Sequence, residues 1–300
     1  MADTLGQKNT LKYIRIITVA GIIASAALRF LDFRLNYSIT DEKTAFLDNS
    51  GMLSWISLAV ILLCAVAAAA LCIRDKDMYG EYLFKSDAVS GAASLICAAS
   101  LVPSLPYMFS IFTDEELLEE STDAGAFMLP MFILSIIMIV FLIILGAGMF
   151  TGKNVCSEIA FTSFVPLLWS MMFIVFNYVH NTMFVIKTEN YFVIAACASL
   201  VFAMRAIARN YAGFGNSARV KPFVIWTSIA AVTCTAYGIS DVLMYFCGPE
   251  RIRSMDITVS CVMLGMGIFA LAALMTYHFD AQPKPEKETA APKEENRESE

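Results

Sequence analysis

The sequence predicts an all-α fold: a polytopic bundle of eight membrane-spanning helices, followed by a short polar tail. Three observations carry this. Apolar residues make up 58% of the 300 and charged residues only 16%, against about 45–50% and about 25% in a soluble domain. Mean hydropathy is +0.65. Five charge-free runs, 51–73, 89–112, 125–151, 159–181 and 257–279, reach the roughly 20 residues that a helix needs to cross the hydrocarbon core. Helices satisfy their backbone polar groups within one segment, as lipid demands. The alternation over segments of about ten residues that a barrel would show is absent.

The spans fall at 12–31, 52–73, 89–112, 127–150, 159–180, 191–208, 222–246 and 257–278, within a transmembrane domain of residues 1–279. The first begins with Lys8, Lys12 and Arg15 ahead of an apolar run and Ala24-Ser25-Ala26, which resembles a signal peptide with a small-residue cleavage site. Retention as a span is the alternative we favour, because Arg29-Phe30-Leu31 continues the amphipathic pattern. The third span carries Pro103 and Pro106 in LVPSLPYMF; each proline frees a carbonyl, and the pair should bend the outer third. Pro130 and Pro166 also fall inside spans. The sixth has only 14 uncharged residues before Arg205, so Arg205 must snorkel or face a wet cleft.

Sidedness follows from lysine and arginine in alternating loops. Fifteen lie on the side of the N-terminus and six on the other, which puts both termini in the cytoplasm of a cell-membrane protein. After Phe279 the chain becomes DAQPKPEKETAAPKEENRESE, with seven acids, four bases and three prolines. Residues 280–300 cannot bury enough apolar surface to fold alone, and are expected to be a disordered cytoplasmic tail, either simply solvated or a docking tail for a partner. The outer loop TDEELLEESTDAGA has six acids and no base. It reads as a solvated loop or as a collector of cations at a pore mouth. Asn36-Tyr37-Ser38 matches a glycosylation acceptor by its short pattern alone.

A weak repeat is organisational. Odd-numbered spans carry polar and aromatic residues near their outer ends, whereas even-numbered spans are plainer. The pattern suits four helical hairpins or two parallel four-helix halves, although an interfacial aromatic belt would produce much of it.

Asp241 is the leading candidate for a functional residue. It lies about five residues before the seventh span ends, where an acid is costly unless paired or hydrated. Thr227, Ala231, Cys234, Gly238, Asp241 and Tyr245 form one small and polar stripe, widened by Ser228 and Thr235; close helix packing explains the stripe equally well. Arg29 lies at a similar depth in the first span, with Asp32 and Arg34 beyond. A buried Arg29–Asp241 pair would offset the cost of both charges, whereas Arg29 alone would snorkel to the headgroups. Tyr107, Asn177, His180 and Tyr245 complete the candidate intramembrane polar site. His180 would titrate near neutral pH, or simply sit in the wet interface.

Several classes are excluded or disfavoured. No lysine lies in the interior of any span, so no retinal Schiff base is expected. No P-loop, HExxH or GxSxG motif is present. The eight cysteines have no CxxC spacing and the two histidines fall at opposite faces, so no metal site or cofactor is implied. No lysine-arginine cluster with interleaved aromatics lies outside the short cytoplasmic loops, and nucleic acid is not an expected partner. The lipid bilayer is one, with other membrane proteins or a cytoplasmic protein at the tail as candidates. The readings left are a small-solute transporter or channel, a non-catalytic accessory, sensor or immunity-type protein, and, behind these, an intramembrane enzyme acting on lipid.

Overall fold

The structure is a computed structural model that describes residues 2–36, 52–75, 78, 80–82, 86–113, 122–158, 160–181, 187–212, 220–247, 257–277 and 279–281. The acidic outer loop up to residue 121, Tyr37-Ser38, His278, the tail beyond Ala281 and the side chain of His180 lie outside the described residues.

The chain forms a polytopic helical bundle. Its longer helices are α1 (Ala2–Asn36), α2 (Met52–Arg74), α3 (Ala88–Leu101), α4 (Ser104–Thr113), α5 (Thr122–Thr151), α6 (Phe164–Asn181), α7 (Lys187–Tyr211), α8 (Val220–Cys247) and α9 (Ile257–Met275), with two single turns at Val155–Glu158 and Ala160–Ser163 between α5 and α6. Eight stretches among the described residues are long and apolar enough to cross a membrane, α3 and α4 together making one of them. Their bounds match the predicted spans to within a few residues. A small antiparallel ribbon joins β1 (Gly80–Tyr82) to β2 (Phe279–Ala281), a pairing that hydropathy had no means to indicate.

Breaks and caps follow local chemistry. Pro103 has no amide hydrogen, and the third span divides there into α3 and α4. The carbonyls are taken up locally: Val102 N donates at 3.3 Å to Ala99 O, which Pro103 leaves without its usual donor, Leu105 N at 3.2 Å to Val102 O, which Pro106 leaves, and Ser104 Oγ at 2.7 Å to Leu101 O. Asp87 caps α3, its carboxylate accepting from Val89 N at 3.3 Å and Ser90 N at 2.9 Å. Burial works against its charge. The amide and hydroxyl of Ser90, the Val89 amide and the Thr276 hydroxyl outweigh that and hold its pKa below the ordinary value. At the end of α5, Gly152 turns the chain with φ 75°, and Lys153 N donates back to Gly148 O at 2.9 Å, a left-handed helix stop that a side chain would strain.

Sequential helices pack as antiparallel pairs: α1 on α2, α3 on α5, α6 on α7 and α8 on α9. The order α8–α9–α3–α5–α6–α7 closes back on α8, and α1 and α2 flank α8 from outside that ring. So α8 is the hub, in contact with α1, α2, α7 and α9. Its surface explains the position. Thr227, Ser228, Ala230, Ala231, Ala236, Gly238 and Ser240 are all buried, and small residues let backbones approach where lipid supplies no hydrophobic drive between helices. A methyl added at Gly238 would stand 2.5 Å from Leu264 N and 2.7 Å from Ser260 O. Outward positions such as Ile133, Ile136, Val140 and Ile144 of α5 stay exposed, as a lipid-facing surface requires.

A buried ion pair as the candidate functional site

Arg29 and Asp241 meet inside the bundle. Arg29 Nη2 donates to Asp241 Oδ1 at 3.3 Å, and both side chains are 0% exposed. The snorkelling alternative therefore does not hold: the guanidinium turns into the protein, where α1 presents it to α8. Ser260 on α9 donates to Asp241 Oδ2 at 3.0 Å. Three rings surround the guanidinium carbon, Tyr237 at 4.4 Å, Phe192 at 4.5 Å and Phe33 at 4.8 Å from their centroids. Such contacts are worth about 0.5–1 kcal/mol exposed and about 2 or more when desolvated. The cage thus offsets part of the cost of removing the charge from water. One turn along α1, the buried Asp32 accepts a hydrogen bond from Ser54 of α2.

The pair ends a longer polar seam. The buried side of α1 repeats every three or four residues: Ile14, Thr18, Ile22, Ser25, Arg29, Asp32 and Phe33. Thr18 Oγ1 shares a hydrogen bond with Ser228 of α8 at 2.6 Å, and Ser25 Oγ with Ser57 of α2 at 2.7 Å. Ser240 reaches Ala26 O at 3.2 Å. At the far end Arg15 donates to the carbonyls of Leu274 at 3.1 Å and Tyr277 at 3.0 Å. From Arg15 to Asp32 the seam runs about 26 Å at 1.5 Å per residue, close to the roughly 30 Å hydrocarbon thickness. Ala24-Ser25-Ala26 lies within this continuous helix and contributes to its contacts.

The other sequence candidates lie elsewhere or at the edge. Asn177 is buried on α6 and donates to Phe173 O at 2.8 Å, one turn back on its own helix. Tyr107 is on α4, which packs against α5 and α9. Tyr245 sits one turn beyond Asp241, edge-on to Phe246 at 5.3 Å. His180 belongs to the last turn of α6. The odd-span scheme needs correction: Ser54, Phe192 and Ser260 come from the second, sixth and eighth spans. Sequence reasoning missed Phe33, Phe192, Tyr237 and Ser260. The repeat of Thr18, Ser25, Arg29 and Asp32 along one side of α1 was the readable signal for the seam.

Compared with protein-family models, curated proteins and solved structures, the chain matches none.

Proposed function

We propose that the protein transports a small polar or charged solute, with the Arg29–Asp241 pair as the switch that the solute or a coupled proton opens. The observation that carries this reading is the pair's complete burial within a transmembrane bundle. Ionisable groups inside spans are expensive and mark pathways and relays. For stability alone, apolar residues of similar size would serve as well or better. An anionic solute group would take the place of Asp241 beside Arg29, or protonation of Asp241 would release it. The seam from Arg15 to Asp32 supplies hydroxyls on either side of a route between α1, α2 and α8. The excess of lysine and arginine on the N-terminal side favours an orientation with the pair toward the outer face.

A second reading rests on the same closure. With Ser260 and three rings completing its shell, the pair would serve as a clamp joining α1, α8 and α9 in an accessory or sensor protein. One experiment separates the two. Ser260→Cys is nearly isosteric and touches Asp241, whereas a side chain at 238 would strike the α9 backbone. In a background lacking Cys234, Cys247 and Cys261, transport predicts that Cys at 260 reacts in sealed vesicles with a membrane-impermeant thiosulfonate cation. Complete protection in membranes, with full reaction after unfolding, would overturn transport through this site and support the clamp.

A further inference from the structure

A second polar feature lies at the other end of α7. From Phe192, against Arg29, to Asn210 the helix rises about 27 Å. There a cavity of about 230 Å³ opens between α7 and the start of α8, lined by Phe202, Arg205, Arg209, Asn210, Pro222 and Trp226. Arg205 and Arg209 are four residues apart, so their side chains are neighbours on one helix face. Arg205 is exposed and makes no ion pair among the described residues. Asn210 is only 5% exposed, yet its Nδ2 has no hydrogen-bond partner. Buried donors are nearly always satisfied; this one lines the cavity beside the two arginines, the charged side chains of its lining among the described residues. Lys221, nearby in sequence, is engaged instead with the Asp75 carbonyl.

The remaining wall is aromatic. Phe202 stacks on Trp226 with centroids 4.3 Å apart, and Phe202 is 42% exposed at the surface of the bundle. Two guanidinium groups and an amide donor suit a group with several acceptor oxygens. The adjoining aromatic surface suits an apolar chain joined to that group. Soluble phosphate would use the polar floor and leave the wall empty.

We propose that this cavity is a headgroup site for an anionic phospholipid, its phosphate held by Arg205, Arg209 and Asn210 and its acyl chains against Phe202 and Trp226. Basic pockets between spans near the membrane surface take such headgroups, each arginine contributing about five-fold in affinity.

The test is native mass spectrometry of the full chain in detergent, titrated with phosphatidylglycerol or phosphatidylcholine, alongside thermal unfolding with each lipid and with inorganic phosphate. The wild type should prefer phosphatidylglycerol by ten-fold or more. Arg205→Gln should weaken that lipid about five-fold. Asn210→Leu should weaken it too, while leaving lipid-free unfolding unchanged or raised, because it removes an unsatisfied donor. Equal retention of the two lipids, or unchanged phosphatidylglycerol affinity in both variants, would overturn the site. Protection by inorganic phosphate equal to that by phosphatidylglycerol would overturn the lipid assignment.

Discussion

Arg29 and Asp241 stand 212 positions apart in the chain, and each is intelligible only beside the other. Removing one partner of such a pair leaves an uncompensated buried charge and costs about 3–5 kcal/mol. Arg29→Met and Asp241→Leu should therefore each lower the unfolding temperature in detergent markedly. The double substitution should recover most of the loss, because apolar replacement of a whole pair is close to neutral. Thermal unfolding of the four proteins checks this; losses that simply add would show that the two side chains do not act as a pair. Asp241 was legible in the sequence as an acid too deep for comfort. Its partner was legible only as one of two alternatives. The aromatic cage was not legible at all, since Phe33, Phe192 and Tyr237 are three of many ring residues in the spans.

At the scale of the element, α8 and α9 are held by the absence of side chains. At Gly238 an added methyl would meet backbone atoms of α9, which cannot rotate away. Gly91 differs, because a methyl there meets the Phe150 ring at 2.9 Å, and that ring is 48% exposed and free to move. Gly238→Ala should thus destabilise by at least the ~1–3 kcal/mol typical of overpacking, and Gly91→Ala by much less; side-by-side melting curves decide. The start of α3 supplies a pH test. Asp87 has its folded pKa below its unfolded value of about 3.9. Its contribution is therefore fully present above that unfolded value and is lost as pH falls through the folded one. Asp87→Ala should cost about 1 kcal/mol near pH 7 and flatten the decline in stability as pH falls below about 4, read as unfolding temperature against pH. The cap was readable in principle, since Asp87 precedes an apolar run. The α3–α4 break followed from Pro103 directly.

For the whole molecule, an even number of spans puts both ends of the bundle domain on one face. Arg15 bonded to Leu274 and Tyr277 and the ribbon of 80–82 with 279–281 agree with this. Epitope tags before residue 2 and after residue 300 should show the same protease protection in oriented vesicles, and the lysine-arginine excess predicts that the protected side is cytoplasmic. Opposite protection of the two tags would mean that α1 does not cross. Span number, approximate bounds, the proline break and the presence of one costly acid were determined by the sequence alone, because each depends on transfer from water to hydrocarbon or on local backbone chemistry. Which faces meet was decided by tertiary structure. In a bilayer both sides of a helix are apolar: α5 offers isoleucine to lipid and Met131, Met138 and Leu142 to the bundle, and hydropathy does not tell them apart. Burial there is set by size and shape, through glycine contacts, hydroxyl pairs and the Arg29–Asp241 ion pair between residues distant in the chain. Those become visible only when the helices are assembled.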